Sequence, residues 1–189
     1  MYQHDYSFRG QLVRDHLKYL VSLVLSLSLS LASAHASIRS EYEVKAAFLY
    51  NFTRFVAWSN GATVSEPLDV CIYGDEPFGD LLAPLQGRKS QGRELQLRYP
   101  SVVADIAGCD VLFIGQSQSR NVDELLKMAQ SQRGVLTVSD LPDFIRKGGI
   151  VGYVKQGNVI RFEISLKAAI EAGLTINSRL LELAVRVLR

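Results

Sequence analysis

The chain is poor in the residues that most often carry chemistry. Its 189 residues include two cysteines, one tryptophan and three histidines, and the histidines are His4, His16 and His35. Once the first 36 residues are removed as a leader, no imidazole is left to serve as base or ligand. That excludes Ser-His-Asp and Cys-His triads and any His-ligated zinc, and two cysteines are too few for an all-cysteine zinc site. Charge has no dominant sign, with 21 Lys+Arg against 19 Asp+Glu. Such a balance gives no phosphate-directed field for nucleic acid. The one long apolar run, Tyr19 to Leu31, is shorter than the roughly 18–20 residues a spanning helix needs, and serines dilute it. The turn Gly74–Gly79 has the outer glycine spacing of a phosphate loop. It lacks the Lys-Ser/Thr pair: Asp80 and Leu81 stand there, and Asp75, Glu76 and Asp80 would repel phosphate.

What is present begins with an export signal. Arg9, Arg14 and Lys18 precede the apolar run, and Ala32-Ser33-Ala34-His35-Ala36 supplies a small-x-small cleavage site. The expectation is a signal peptide over residues 1–36, cut after Ala34 or, preferred here, Ala36. One domain over 37–189 follows, delivered to the periplasm. Taking three basic and two acidic residues from the totals leaves 18 against 17. In an oxidising compartment Cys71 and Cys109 read as a structural disulfide closing a 39-residue loop. Buried free thiols and a reversible redox switch are the alternatives, the switch disfavoured because no C-x-x-C tunes the thiols.

The rest is organised around Leu68–Gly79, LDVCIYGDEPFG: a short Val/Ile/Tyr strand buried on both faces, then turn chemistry and a helix opening. Before it, Ser40–Trp58 reads as a helix with a Ser40/Glu43 capping box. Val44, Phe48, Phe52 and Phe55 make its apolar stripe, with Lys45 and Arg54 on the polar side. After it come a helix over Pro77–Gln86, a basic solvated turn over Gly87–Gly92 and a strand over Glu94–Tyr99. A short helix over Ser101–Ala107, a buried strand over Asp110–Ile114 and an amphipathic helix over Asn121–Gln132 continue the alternation. Val135–Val138 is a third buried strand. Ile150–Val154 and Val159–Ile164 flank Gln156-Gly157-Asn158, a hairpin signal. Lys167–Ala172 and Asn177–Leu188 read as closing helices. The fold class is therefore α/β, one mostly parallel sheet with helices on both faces and a C-terminal antiparallel hairpin.

Candidate contact residues follow from this layout. Ligands of open α/β sheets lodge outside the carboxyl ends of strands, where the loops after the buried strands would gather Asp75, Asp140 and Asp143 into a polar pocket or cation site. A solvated rim is the favoured reading of the same residues. Arg161 and Glu163, two apart on a strand, share a face and read as a mutual surface ion pair or a hold for a zwitterion. Phe52, Phe55 or Trp58 could reach a partner surface, although an aromatic stripe usually belongs to a core.

The segments EYEVKAAFLYNFTRFVAW, LDVCIYGDEPFGD, GCDVLFIG, VLTVSDLPDFIRKGGIVGYV and VIRFEISLKAAIEAGLTINSRLLELA, in this order, resemble the YfiR-like family of exported bacterial proteins. The resemblance runs from about Glu41 to Ala184. It implies a periplasmic, non-enzymatic regulator that represses a membrane-bound diguanylate cyclase by binding its periplasmic sensor domain, with an outer-membrane lipoprotein as a sequestering partner. It matches Cys71 and Cys109 to the family's disulfide. The second disulfide of the best-known member has no counterpart, since Asp143–Gly152 contains no cysteine. No cofactor, metal or nucleic acid is expected, and a homodimer is left open. The alternative function is a periplasmic small-molecule-binding protein.

Overall fold

In a computed structural model of the chain, residues 41–58, 66–75 and 77–189 are described. The leader over 1–36, the Ser40 cap and Glu76 lie outside these residues. No helix among the described residues is long and apolar enough to cross a membrane.

The first helix, α1, spans 41–55. The chain then turns extended, and β1 (Val56–Trp58) pairs antiparallel with β9 (Leu174–Ile176) in a two-stranded sheet. Helical periodicity suggested a helix as far as Trp58; strand pairing with β9 ends it three residues earlier.

The main sheet holds β2 (Leu68–Tyr73), β3 (Lys89–Ser90), β4 (Arg93–Arg98), β5 (Val111–Ile114), β6 (Leu136–Ser139), β7 (Val151–Gln156), β8 (Val159–Ser165) and β10 (Arg186–Leu188). Their order is β10-β8-β7-β6-β5-β2-β4-β3. Strands β4, β2, β5, β6 and β7 are mutually parallel, whereas β8 is antiparallel to β7 and β3 to β4. The parallel part thus starts in the centre and winds outward both ways, a doubly wound sheet whose direction reverses between β2 and β5.

Side chains of the central strands point alternately to the two faces, and both faces are covered. Leu68, Val70, Ile72, Val111, Phe113, Leu136 and Val138 face one core with Leu49 and Phe52 of α1. That core also takes Ala169 of α3 (Leu166–Glu171) and Leu180 of α4 (Ser178–Leu183). Cys71, Tyr73, Leu112 and Ile114 face the other core, under Val122, Leu125, Leu126 and Ala129 of α2 (Val122–Ser131). These four residues recur at the helical spacing of one face.

Three expectations are corrected. The helices foreseen over Pro77–Gln86 and Ser101–Ala107 are short 3-10 turns, Gly79–Leu85 and Val103–Ile106; Pro84 lies inside the first, where it removes a backbone donor. The turn Gly87–Gly92 is not wholly solvated, because it contains β3 and a buried Ser90 that bonds the Thr53 hydroxyl of α1 at 2.9 Å. The closing helix stops at Leu183, and Arg186–Leu188 becomes a strand parallel to β8. An open sheet edge offers backbone partners that outcompete a helix of which only Leu180 would be buried.

Candidate functional site

Where a doubly wound sheet usually holds a ligand, the two loops of this chain are tied to each other. At the reversal between β2 and β5, the Asp75 backbone N–H donates to Ser117 Oγ at 2.8 Å. Gly74 has φ +106°, and a Cβ added there would stand 2.7 Å from the same hydroxyl. Only glycine permits both the left-handed backbone and this close approach. Asp75 is exposed on this closed loop pair.

Asp140, one residue beyond β6, is capped from above by α1. Its Oδ2 accepts from Lys45 Nζ at 2.7 Å and from the Tyr42 hydroxyl at 2.9 Å. The Lys45 ammonium also lies 4.1 Å from the centre of the Tyr42 ring. Lys45 and Asp140 side chains are 3% and 4% exposed, so this is an interior ion pair. Below it the Tyr153 hydroxyl donates to the Lys45 carbonyl at 2.7 Å. Burial first, and then the Asp140 charge, pushes the Tyr153 phenol well above its ordinary value. Asp140 Oδ1 is buried without a hydrogen-bond partner among the described residues.

The structure therefore separates what the sequence placed in one rim pocket. Asp75 is on the surface, Asp140 is inside and neutralised by Lys45, and Asp143 pairs at 3.7 Å with exposed Arg146. No group of three His, Cys, Asp or Glu side chains with metal-holding geometry occurs among the described residues. Lys45, assigned to the polar side of α1, is buried, while Val44, assigned to the apolar stripe, is 40% exposed. The true inward face of α1 is Lys45, Ala46, Leu49, Phe52 and Thr53, with Phe52 and Phe48 both 5.2 Å from Phe162. Phe52 is fully buried and reaches no surface; Phe55 and Trp58 are half-buried against the same core. The indole Nε1 of Trp58 has no hydrogen-bond partner among the described residues.

Arg161 and Glu163 share a face of β8 but do not pair. Glu163 is buried, lies opposite side-chain-free Gly152, and takes Arg186 of β10 at 3.4 Å. Arg161 stays exposed. The competing arginine comes from the strand that was expected to be helix, which is why spacing within β8 misled. A further pair escaped the sequence altogether: Arg93 grips Asp110 through both nitrogens at 3.2 and 2.6 Å, and also donates to the Glu66 and Pro67 carbonyls. A charge in an apolar alternation was its only trace.

Cys71 and Cys109 form a disulfide with a Cα–Cα distance of 5.9 Å. It joins β2 to the start of β5 on the α2 side of the sheet, so of the three states open to these cysteines the structure contains the bond.

A concavity open to solvent measures about 380 Å³ and lies between α1 and the 3-10 turn Gly79–Leu85, with Tyr50, Asn51, Arg54 and Arg88 in its lining.

Two solved structures are similar to this chain in fold. A conserved domain protein from Vibrio cholerae O1 biovar El Tor str. N16961 gives TM-score 0.46 and 14% identity, over 64% of this chain and 54% of that one. The ABC domain from Streptococcus pneumonia, solved with L-Trp, gives TM-score 0.47 and 12% identity, over 64% and 56%. The chain thus spans little more than half the length of either. No curated protein matches. A family profile described as YfiR/HmsC-like matches residues 42–185, nearly all of the folded unit, and the chain belongs to that YfiR/HmsC-like family.

Proposed function

We propose that this protein is an exported, non-enzymatic regulator that binds and represses a membrane-bound signalling protein, a diguanylate cyclase acting through its periplasmic domain. The observation that carries the reading is family membership over residues 42–185. Three features support it. At the sheet reversal, where such folds usually take a ligand, the Gly74–Asp75 turn is tied directly to Ser117 of the neighbouring loop. The Cys71–Cys109 bond fits an oxidising compartment and the leader-like residues 1–36. The Arg161/Glu163 hold for a zwitterion is weakened, since Glu163 is engaged by Arg186.

The test is genetic and chemical together. Deleting the gene raises cyclic di-GMP, and restoring it lowers the level again; equal levels in both strains sink the cyclase version. Mass spectrometry of the native product finds a chain that begins near Ser37 and is two hydrogens lighter than the dithiol. An intact leader with free thiols removes the periplasmic part of the reading.

A further inference from the structure

The groove beside α1 has features that the regulatory reading does not by itself require. Its helical wall is Glu43, Ala46, Ala47, Tyr50, Asn51 and Arg54. These positions are spaced i, i+3, i+4, i+7, i+8, i+11, one continuous helical face about 16 Å long at ~1.5 Å per residue. The inward stripe of α1 shares only Ala46 with this face, whose other positions are half-buried or exposed. Two alanines in its middle keep the groove open, and Leu81 and Leu85 form the facing wall.

Positive charge gathers at one end. Arg88 lies 4.1 Å over the Tyr50 ring, and Arg54 lies 5.9 Å from the same ring and from Phe55. The Tyr50 hydroxyl is tied to the Lys89 carbonyl at 3.1 Å, which fixes the ring and, through it, the guanidinium of Arg88. Neither Arg54 nor Arg88 has a carboxylate partner among the described residues, whereas Lys45, Arg93, Arg98, Arg146, Lys167 and Arg186 all do. The ring-stacked Arg88 and the exposed Arg54, beside an apolar, small-residue floor, make a surface complementary to an amphipathic segment that ends in a carboxylate. Arg and Tyr held rigid around an apolar pocket are also the usual anchors of protein interfaces.

Only Ala46 and Leu85 of this lining are buried, so a free small molecule would keep much of its surface in water, unlike ligands in enclosed sites. We propose that this groove docks a helix of the membrane partner, its apolar side chains laid over Ala46, Ala47 and Leu81 and an Asp or Glu between Arg54 and Arg88. The proposal rests on the regulatory reading and assigns its contact surface.

The test uses the full chain, tagged and expressed in its own host. A photo-crosslinking residue replaces Ala47 on the groove or, as control, exposed Lys127 on α2. The expected product from Ala47 is a membrane-protein peptide in which apolar residues at helical spacing precede an Asp or Glu; Lys127 does not give it. Arg54→Glu with Arg88→Glu lowers partner co-purification by roughly tenfold or more with an unchanged melting temperature, because both side chains are exposed. Undiminished co-purification overturns the groove while leaving the regulatory reading standing. No membrane partner from the unmodified chain sinks both. A crosslink from Ala47 to this same chain assigns the groove to a second copy and overturns the proposal. So does a melting shift with free amino acids or dicarboxylates that the double variant abolishes.

Discussion

The two faces of the central sheet are held by different physics. On the α2 face the cover is a ten-residue helix packed through four aliphatic positions, and the strands beneath it carry the Cys71–Cys109 bond. On the α1 face the cover is aromatic and ionic: Phe48 and Phe52 against Tyr153 and Phe162, with Lys45 reaching Asp140 across 95 residues. A covalent staple works mainly on the unfolded chain, by removing its freedom. A buried ion pair works on the folded one, where either charge left alone is heavily penalised. The domain thus owes part of its stability to the oxidation state of its compartment through a bond on the α2 face, whereas the contacts of the α1 face involve no redox group.

The largest expected effect tests the ionic face. Lys45→Met strands the Asp140 carboxylate and lowers stability by about 3–5 kcal/mol in urea titration, while Lys45→Met with Asp140→Leu recovers most of the loss. A single variant as stable as the parent would show that the pair does not hold α1. On the other face, Cys71→Ser costs roughly 3–4 kcal/mol under oxidising conditions and nothing further in reductant. Adding reductant to Lys45→Met should then subtract the same amount again, since the two faces share no partner.

Gly149→Ala is a smaller perturbation of the α2 face. Its new methyl would overlap the Phe144 ring, which sits fully buried in that core. The expected cost is about 1–3 kcal/mol by thermal melting.

The smallest effect depends on pH. Tyr153→Phe loses the bond to the Lys45 carbonyl, worth about 1 kcal/mol near neutrality. The folded phenol holds its proton above the ordinary value of 10.0, so wild-type stability is complete below that pH. As pH rises through and beyond it, unfolded chains ionise Tyr153 while folded ones do not, and stability falls. Phenylalanine has no such loss, so the gap between the two proteins narrows in alkali. A gap that widened above pH 10.0 would contradict the buried placement of the phenol.

Much of the α2 face was legible in the residues. Leu68–Tyr73 and Val111–Ile114 are short apolar runs between turn signals, and Val122, Leu125, Leu126 and Ala129 repeat at helical spacing. Local pattern and final burial agree there because these strands are apolar and covered on both sides, and α2 connects β5 to β6, which pair directly. On the α1 face the pattern misled. A lysine in a helix reads as a solvent residue until its partner, far along the chain, is known to sit against it. Glu163 was misread for the same reason, because Arg186 lay in a stretch whose own periodicity is helical. Of the candidate site, Tyr50 and Arg54 stood in plain view, but nothing adjacent to them in sequence brings Leu81, Leu85 and Arg88 alongside.

The order of residues alone determined the buried strands β2, β5 and β6, the helix α2, the hairpin around Gly157, and the lack of any histidine beyond His35. These rest on periodicity and composition, which act over a few residues at a time. The tertiary structure alone decided which charges are inside, which edge strand Arg186–Leu188 joins, and which face of α1 lines the groove. Burial of a charge and pairing of a sheet edge are interactions between distant segments, and their energies exist only once the chain has brought those segments together.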